Sequence, residues 1–164
     1  MDFNDEHANI ITWYNISYEN ESNNSTTLLP SIVRELVERR VYLKQSLKTQ
    51  QTDSNLYSSC EVRLDVLKQI LVCLYGTSGS IWNRYSNVHV FEAINRRARQ
   101  ILLKTKDIVQ EAGFDLIYAD TDAVFLKKKH ATREDFEEIK NTIAKETGLD
   151  ITLEFHYKFL DCYT

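Results

Sequence analysis

The spacing of apolar and polar residues changes along the chain, and each change of period marks an element. Residues 31–48, SIVRELVERRVYLKQSLK, carry Ile32, Val33, Leu36, Val37, Val41 and Leu47 close to a helical repeat. Pro30 falls in the first turn of that helix, where its missing N–H removes no hydrogen bond. A second helix is expected over 60–76, CEVRLDVLKQILVCLYG, with Gly76 as its stop. The polar run TQQTDSNLYSS joins the two, which makes a helical hairpin. Ahead of it, MDFNDEHANIITWYNI reads as a strand running into a helix or turn, and SYENESNNSTT as a flexible loop. After the boundary TSGS, residues 87–114 form a long helix ended by Gly113. DLIYADTDAVFLKK then reads as two short strands around Asp120-Thr121. The next helix opens on a capping box of Thr132 and Asp135 and stops at Gly148. Finally, DITLEFHYKFL alternates Ile151, Leu153, Phe155 and Tyr157 with polar residues, as a half-buried strand does. The fold class is therefore α+β: an antiparallel sheet with helices on one face and an inserted helical hairpin.

Composition adds limits. The chain has 164 residues, with 43% hydrophobic and 27% charged, as in ordinary globular domains. Its net charge of −4 argues against a uniformly basic nucleic-acid binder but leaves room for a local basic groove. Cys60, Cys73 and Cys162 have no metal-binding spacing and are expected as reduced, packed thiols. No signal peptide or membrane span is read, so the four glycosylation sequons from Asn15 to Asn24 are taken as accidental and an intracellular, cytoplasmic setting is expected.

Chemistry concentrates in LIYADTDAVFL, residues 116–126. In a regular strand Asp120 and Asp122 project to the same side, and crowded carboxylates either share a proton or bind a cation. A bare DxD is usually a solvated hairpin tip, but a tip in solvent does not need LIY and VFL around it. With oxygen ligands and no nearby His or Cys, the expected ion is Mg²⁺ or Mn²⁺. Asp2, at a strand end, supplies a third acid, and three acids on two strands suit two divalent ions holding a triphosphate. Opposite charge comes from the hairpin. Arg40 and Lys44 lie at i and i+4, while Lys68, Val72 and Tyr75 share one face of the second helix. Lys68, set among apolar neighbours, is the least readily explained as a solvated charge.

Together these segments resemble family B DNA polymerases. DFNDEHANII (2–11) is similar to motif A, D-x-x-S-L-Y-P-S-I-I; KQILVCLYG (68–76) to motif B, K-x-x-x-N-S-x-Y-G; and YADTDA (118–123) to motif C, Y-G-D-T-D-S. Residues 28–48 look like the first fingers helix, with Arg40 and Lys44 at its triphosphate-contacting positions. A divergent archaeal branch is the nearest likeness. The resemblance implies a palm in two parts, 1–27 and 81–164, with fingers at 28–80. It implies a DNA-directed DNA polymerase core that adds deoxynucleotides to a primer 3′-hydroxyl with two Mg²⁺ or Mn²⁺ ions. Asp2, Asp122 and the Phe3 carbonyl would hold the ions, with Asp120 beside them. Arg40, Lys44 and Lys68 would hold the triphosphate, and His7, Val72 and Tyr75 would line the nucleotide.

The implied partners are primer–template DNA and a dNTP, with exonuclease and thumb domains supplied by a longer chain or by separate subunits. The isolated chain is expected to extend primers weakly. His7-Ala8 replace the motif A Tyr-Pro pair, Val72-Cys73 the motif B Asn-Ser pair, and Ala119 and Ala123 the motif C Gly and Ser. These changes motivate a second reading, a catalytically impaired paralogue serving as a nucleic-acid-binding or scaffolding subunit. A third, an RNA-recognition-type module, would show exposed aromatics on its sheet face.

Overall fold

The computed structural model describes residues 1–18, 27–49, 55–84, 86–154 and 157. In chain order they form β1 (Asp2–Phe3), α1 (Glu6–Trp13), α2 (Leu28–Thr49), α3 (Asn55–Ser78), α4 (Val88–Glu111), β2 (Asp115–Asp120), β3 (Ala123–Lys127), α5 (Arg133–Thr147) and β4 (Ile151–Thr152). Two units divide the chain, one of residues 1–6 and 98–164, the other of 7–97. The fold is α+β, with a small antiparallel sheet in a largely helical chain.

In the first unit the sheet order is β2-β3-β1-β4, all antiparallel. β2 and β3 form a hairpin whose register runs from Asp115 opposite Lys127 to Asp120 opposite Ala123. Thr121 and Asp122 are thus the two turn residues. The two strands expected around Asp120-Thr121 are present, with the turn at Thr121-Asp122, so the two acids do not share one regular strand and the same-side argument does not apply. The register shifts between Leu116 and Tyr118. The core of this unit gathers Phe3, Val124 and Ile151 from the sheet with Ile101 and Val109 of α4 and Ile139 and Ile143 of α5. Phe114 and Phe136 meet edge to face with ring centroids 5.3 Å apart. Lys128 lies over the Phe114 ring, 4.3 Å from its centroid, and donates to the Ala112 carbonyl. Among the described residues, the strand expected at the chain's end is seen at Ile151–Thr152. Burial alternates as far as Glu154, and residues 155–156 and 158–164 lie outside the described set.

The second unit rests on α1, whose Ile10, Ile11 and Thr12 are all buried, and on the α2–α3 hairpin. Here the sequence reading needs correction. Ile32 and Val41 are exposed, whereas Leu29, Val33 and Leu43 are buried. The inward residues of α2 (Leu29, Val33, Leu36, Arg40, Leu43, Leu47) advance in steps of four and three. On α3, Tyr57, Cys60, Leu64, Leu67, Leu71, Leu74 and Ser78 do the same. A helix covered by one neighbour buries a narrow heptad seam rather than a broad stripe, which leaves apolar residues outside it. α3 also begins at Asn55, inside the polar connection, and continues through Gly76 to Ser78. The loop expected at 17–27 falls mostly on residues outside the described set. Cys73 is exposed and Cys60 half-buried, so of these two Cys60 approaches the packed thiol expected, while Cys162 lies outside the described residues. Tyr18, bonded to Thr77, has its phenol pushed above the ordinary value by burial.

α5 is the most completely specified element. Thr132 Oγ1 accepts from the Asp135 N–H at 3.4 Å, and Asp135 accepts from the Thr132 N–H at 2.6 Å and hydroxyl at 2.9 Å. Gly148 ends the helix at φ 78°, donating to the Ala144 carbonyl. Thr132→Ala is expected to cost about 1 kcal/mol in a urea titration. The bond from the Thr132 backbone, then that from its hydroxyl, holds the Asp135 carboxyl below its ordinary 3.8. Its stabilising contribution is therefore complete above that ordinary value and lost as pH falls through the lower folded one. The difference in urea midpoint between the protein and Asp135→Asn should persist at neutral pH and shrink below pH about 4.

Candidate active site

The three acids singled out by sequence all belong to the first unit. Ala123 on β3 pairs with Asp120 on one side and with Asp2 on the other, while Asp2 also pairs with Thr152. Asp120, Ala123, Asp2 and Thr152 thus form one transverse row across four strands. Adjacent strands lie about 4.8 Å apart, so the backbones of Asp120 and Asp2 are about 10 Å apart. Asp122 sits in the turn beside this row, and its carbonyl accepts the Phe3 N–H at 2.7 Å. The Val124 N–H donates to the Met1 carbonyl at 2.8 Å, completing the clamp on β1. On the other side, Asn4 donates to Asp150 at 2.9 Å and to the Thr152 hydroxyl at 2.8 Å. Phe3 itself is buried, so its side chain anchors the strand.

Asp120 and Asp122 are exposed, and Thr121 donates to Asp120 at 3.2 Å. Two exposed carboxylates with a third acid on the neighbouring strand offer hard oxygen donors and no imidazole or thiolate, the donor set that Mg²⁺ or Mn²⁺ takes. Among the described residues no three acidic, histidine or cysteine side chains converge on an ion. The third acid is Asp2, placed in the row by its backbone register.

The remaining predicted residues belong to the second unit. Arg40 and Lys44 are half-buried on the inward face of α2, with Arg40 on the heptad seam. Lys68 and Val72 are exposed on α3, so the apolar neighbours of Lys68 in sequence do not enclose it; Leu67 and Leu71 take the seam instead. Tyr75 is half-buried and is the centre of a ring stack. The His7 ring lies on it with centroids 4.0 Å apart, and Phe91 on α4 stacks at 5.2 Å. The Tyr75 hydroxyl donates to Asn95 at 2.7 Å.

A profile of DNA polymerase family B matches residues 1–161. The chain belongs to DNA polymerase family B. It is 29% identical over 138 residues to the DNA polymerase alpha catalytic subunit of Mus musculus, covering 81% of this chain and 9% of that protein. It is likewise 29% identical over 128 residues to a DNA polymerase of Archaeoglobus fulgidus, covering 77% of this chain and 16% of that one. The solved structure of the family B DNA polymerase from Pyrobaculum calidifontis superposes with a TM-score of 0.77 at 25% identity, over 93% of this chain and 22% of that chain. Archaeal and eukaryotic members therefore match alike, and the chain spans less than a quarter of each of these relatives. Tyr118 is exposed on β2, as an RNA-recognition module would have it, but family B membership sets that reading aside.

Sequence reasoning about this family B chain missed Phe91, Asn95 and Gly79. A Cβ built on Gly79 would lie 2.8 Å from two carbons of the Phe91 ring, so glycine lets the α3–α4 loop rest against the stack. In sequence, Gly79 was read only as part of a boundary. Its neighbour Phe91 falls outside all three motifs, and no spacing linked either to Tyr75. Gly79→Ala is expected to push Phe91 off Tyr75 and to destabilise the protein by about 1–3 kcal/mol in thermal or urea melts.

Proposed function

We propose that this chain carries the catalytic core of a DNA-directed DNA polymerase, transferring a deoxynucleotide to a primer 3′-hydroxyl as the template directs. The observation that carries the reading is the transverse row, in which Asp2 and Asp120 flank Ala123 while Asp122 is bonded through its carbonyl to Phe3. Family membership supports it. On this reading residues 1–27 and 81–164 are the palm and 28–80 the fingers.

Asp2, Asp122 and the Phe3 carbonyl would hold two divalent ions, Mg²⁺ or Mn²⁺, with Asp120 as the neighbouring acid. Such ions, when bound, favour the deprotonated primer hydroxyl and offset charge on the departing pyrophosphate. The protein's own contribution is placement. β1 is held between β3 and β4, which would fix the backbone of Asp2 beside that of Ala123. Arg40, Lys44 and Lys68 would neutralise the triphosphate. Arg40 is suited to this because its half-buried position on the seam leaves its side chain fewer orientations than a solvated arginine has.

His7 and Tyr75 would form the wall against the nucleotide, with Val72 near the base pair. His7 stands where motif A has tyrosine, and the stack on Tyr75 preserves a planar ring at that position. Primer–template DNA and a dNTP are the substrates of this reading, and the duplex-gripping thumb and the exonuclease would come from flanking sequence or other subunits.

Primer extension with Mg²⁺ or Mn²⁺ tests the proposal, in this chain and in the chain joined to flanking domains. Asp122→Ala is expected to lower extension roughly 10²–10³-fold while leaving the melting curve in place. Arg40→Ala should instead raise KM for the dNTP. Extension that proceeds equally well without Asp122 would sink the reading, as would none from the joined protein.

A further inference from the structure

The loop between α3 and α4 carries the most exposed large apolar side chains of the described residues. Trp82 is 91% exposed and Ile81 74%. The Asn83 N–H donates to the Ser80 carbonyl at 2.9 Å, so Ile81 and Trp82 are the two corner residues of a tight turn. The Asn87 N–H donates to the Ser78 carbonyl at 2.9 Å and closes the loop at its base. Ser78 is buried, and Gly79 lies against the Phe91 ring. A braced turn thus holds an apolar pair out in water, which is poor use of an indole unless something covers it.

The same unit holds a hole of matching character. Beside α3 an open cavity of about 470 Å³ is lined chiefly by Val66, Ile70, Cys73, Leu74 and Thr77. Val66, Ile70, Cys73 and Thr77 follow one another by four, three and four positions, so they form one stripe along the helix. Val66, Ile70 and Cys73 are exposed along it. Asp65 is the one charged residue of the lining among the described residues. The volume falls in the range that takes a bulky organic group.

Plug and hole sit on one chain, and that identifies the occupant. Trp82 is almost wholly in water, so the cavity does not receive it from its own copy. The loop begins two residues beyond Thr77, the last residue of the lining. A two-fold axis beside them would seat each turn in the other copy's cavity and bury both pairs at once, the self-complementary form of a C2 contact. Charge agrees with this. Arg84 is exposed in the turn that follows, closed by the Ser86 N–H on the Asn83 carbonyl, and it is opposite in sign to Asp65. The turn residues Ser80 to Asn83 carry no charge, so two copies meet there without like-charge repulsion. A foreign protein would have to bring both a plug and a pocket of its own to cover the same surface.

We propose that a second copy of this chain docks here by reciprocal exchange, Ile81 and Trp82 of each copy filling the α3 cavity of the other, with Arg84 facing Asp65. A tryptophan buries about 150–250 Å². Two exchanged turns and the surfaces they cover come to roughly 1,000 Å², the size of a weak, transient contact. No residue of the turn or the cavity belongs to the acids or the nucleotide contacts proposed above, so the pairing does not rest on the polymerase reading.

Sedimentation velocity of the full chain should show monomer at about 1 µM and a growing dimer on the order of 100 µM, since contacts of this size hold weakly. Trp13 is the only other tryptophan, so in Trp13→Phe protein the emission of Trp82 alone should shift to the blue over the same range. Trp82→Ser and Ile70→Glu alter exposed side chains, so each should keep the parent's melting curve while weakening the dimer about tenfold or more. Mild oxidation of Trp82→Cys protein with diamide should give a covalent dimer in which peptide mapping joins position 82 to Cys73. Adding Cys73→Ser should abolish that link. A chain that stays monomeric throughout the range would overturn the exchange. So would a dimer in which Trp82 emission does not move, or one that Ile70→Glu leaves unchanged.

Discussion

The sheet depends on a strand of two residues. Asp2 and Phe3 are hydrogen-bonded to β3 on one side and β4 on the other, and without them the β2–β3 hairpin and β4 would have no common neighbour. The bond from Phe3 N–H to the Asp122 carbonyl joins residues separated by more than a hundred positions. Closing a loop of that length costs about 4 kcal/mol in its length-dependent part alone. Two short runs of ladder bonds do not offset this unaided. Burial of the Phe3 side chain does much of the rest, together with the helices that shorten the effective loop by folding the intervening chain. The same docking that completes the sheet sets Asp2 two strands from Asp120. Assembly of the acids and closure of the fold are one event, and a fault in β1 packing is felt at the site.

A different constraint governs the helical hairpin. Among the described residues α2 and α3 bury a heptad seam and leave other apolar residues outside it, and α3 also meets α1 and α4 through Tyr75. Arg40 lies on that seam at a position where its neighbours by four and three are Leu36 and Leu43. The Nε of Arg40 is buried there, so part of its guanidinium is packed away from solvent. Lys68 is not packed in this way, being exposed one residue from the seam. The two cations therefore differ in setting: Arg40 is half-buried on the seam, and Lys68 is exposed beside it.

What could be read from sequence follows the range of the interactions involved. The capping box of α5 and its Gly148 stop are local, written within a few residues, and the structure reproduces both. The β2–β3 hairpin was legible for the same reason, since two β-branched and aromatic runs flank a short polar turn. The seam was not legible, because which apolar residues of α2 are buried depends on how α3 packs along it. Gly76 looked like a stop because glycine often is one, but α3 continues for two residues beyond it. The ring stack was the least legible feature. His7, Tyr75 and Phe91 come from three helices, and nothing in the spacing of any one of them points to the others.

The departures from the family motifs take on a different weight once the strands are paired. Ala119 stands where motif C has glycine, but here it is an ordinary ladder residue opposite Val124 with no left-handed backbone, so glycine's freedom is not needed. Ala123 stands where the motif has serine, and its part in the row is made by backbone pairing to Asp120 and Asp2. Neither alanine removes a carboxylate donor or breaks a strand pair. His7 for tyrosine is a change of a larger kind, yet a ring remains stacked on Tyr75, where an aliphatic residue would have left that face of the phenol uncovered. Val72-Cys73 differ in kind, since they replace two polar side chains of motif B, while the aspartates of motifs A and C are all retained.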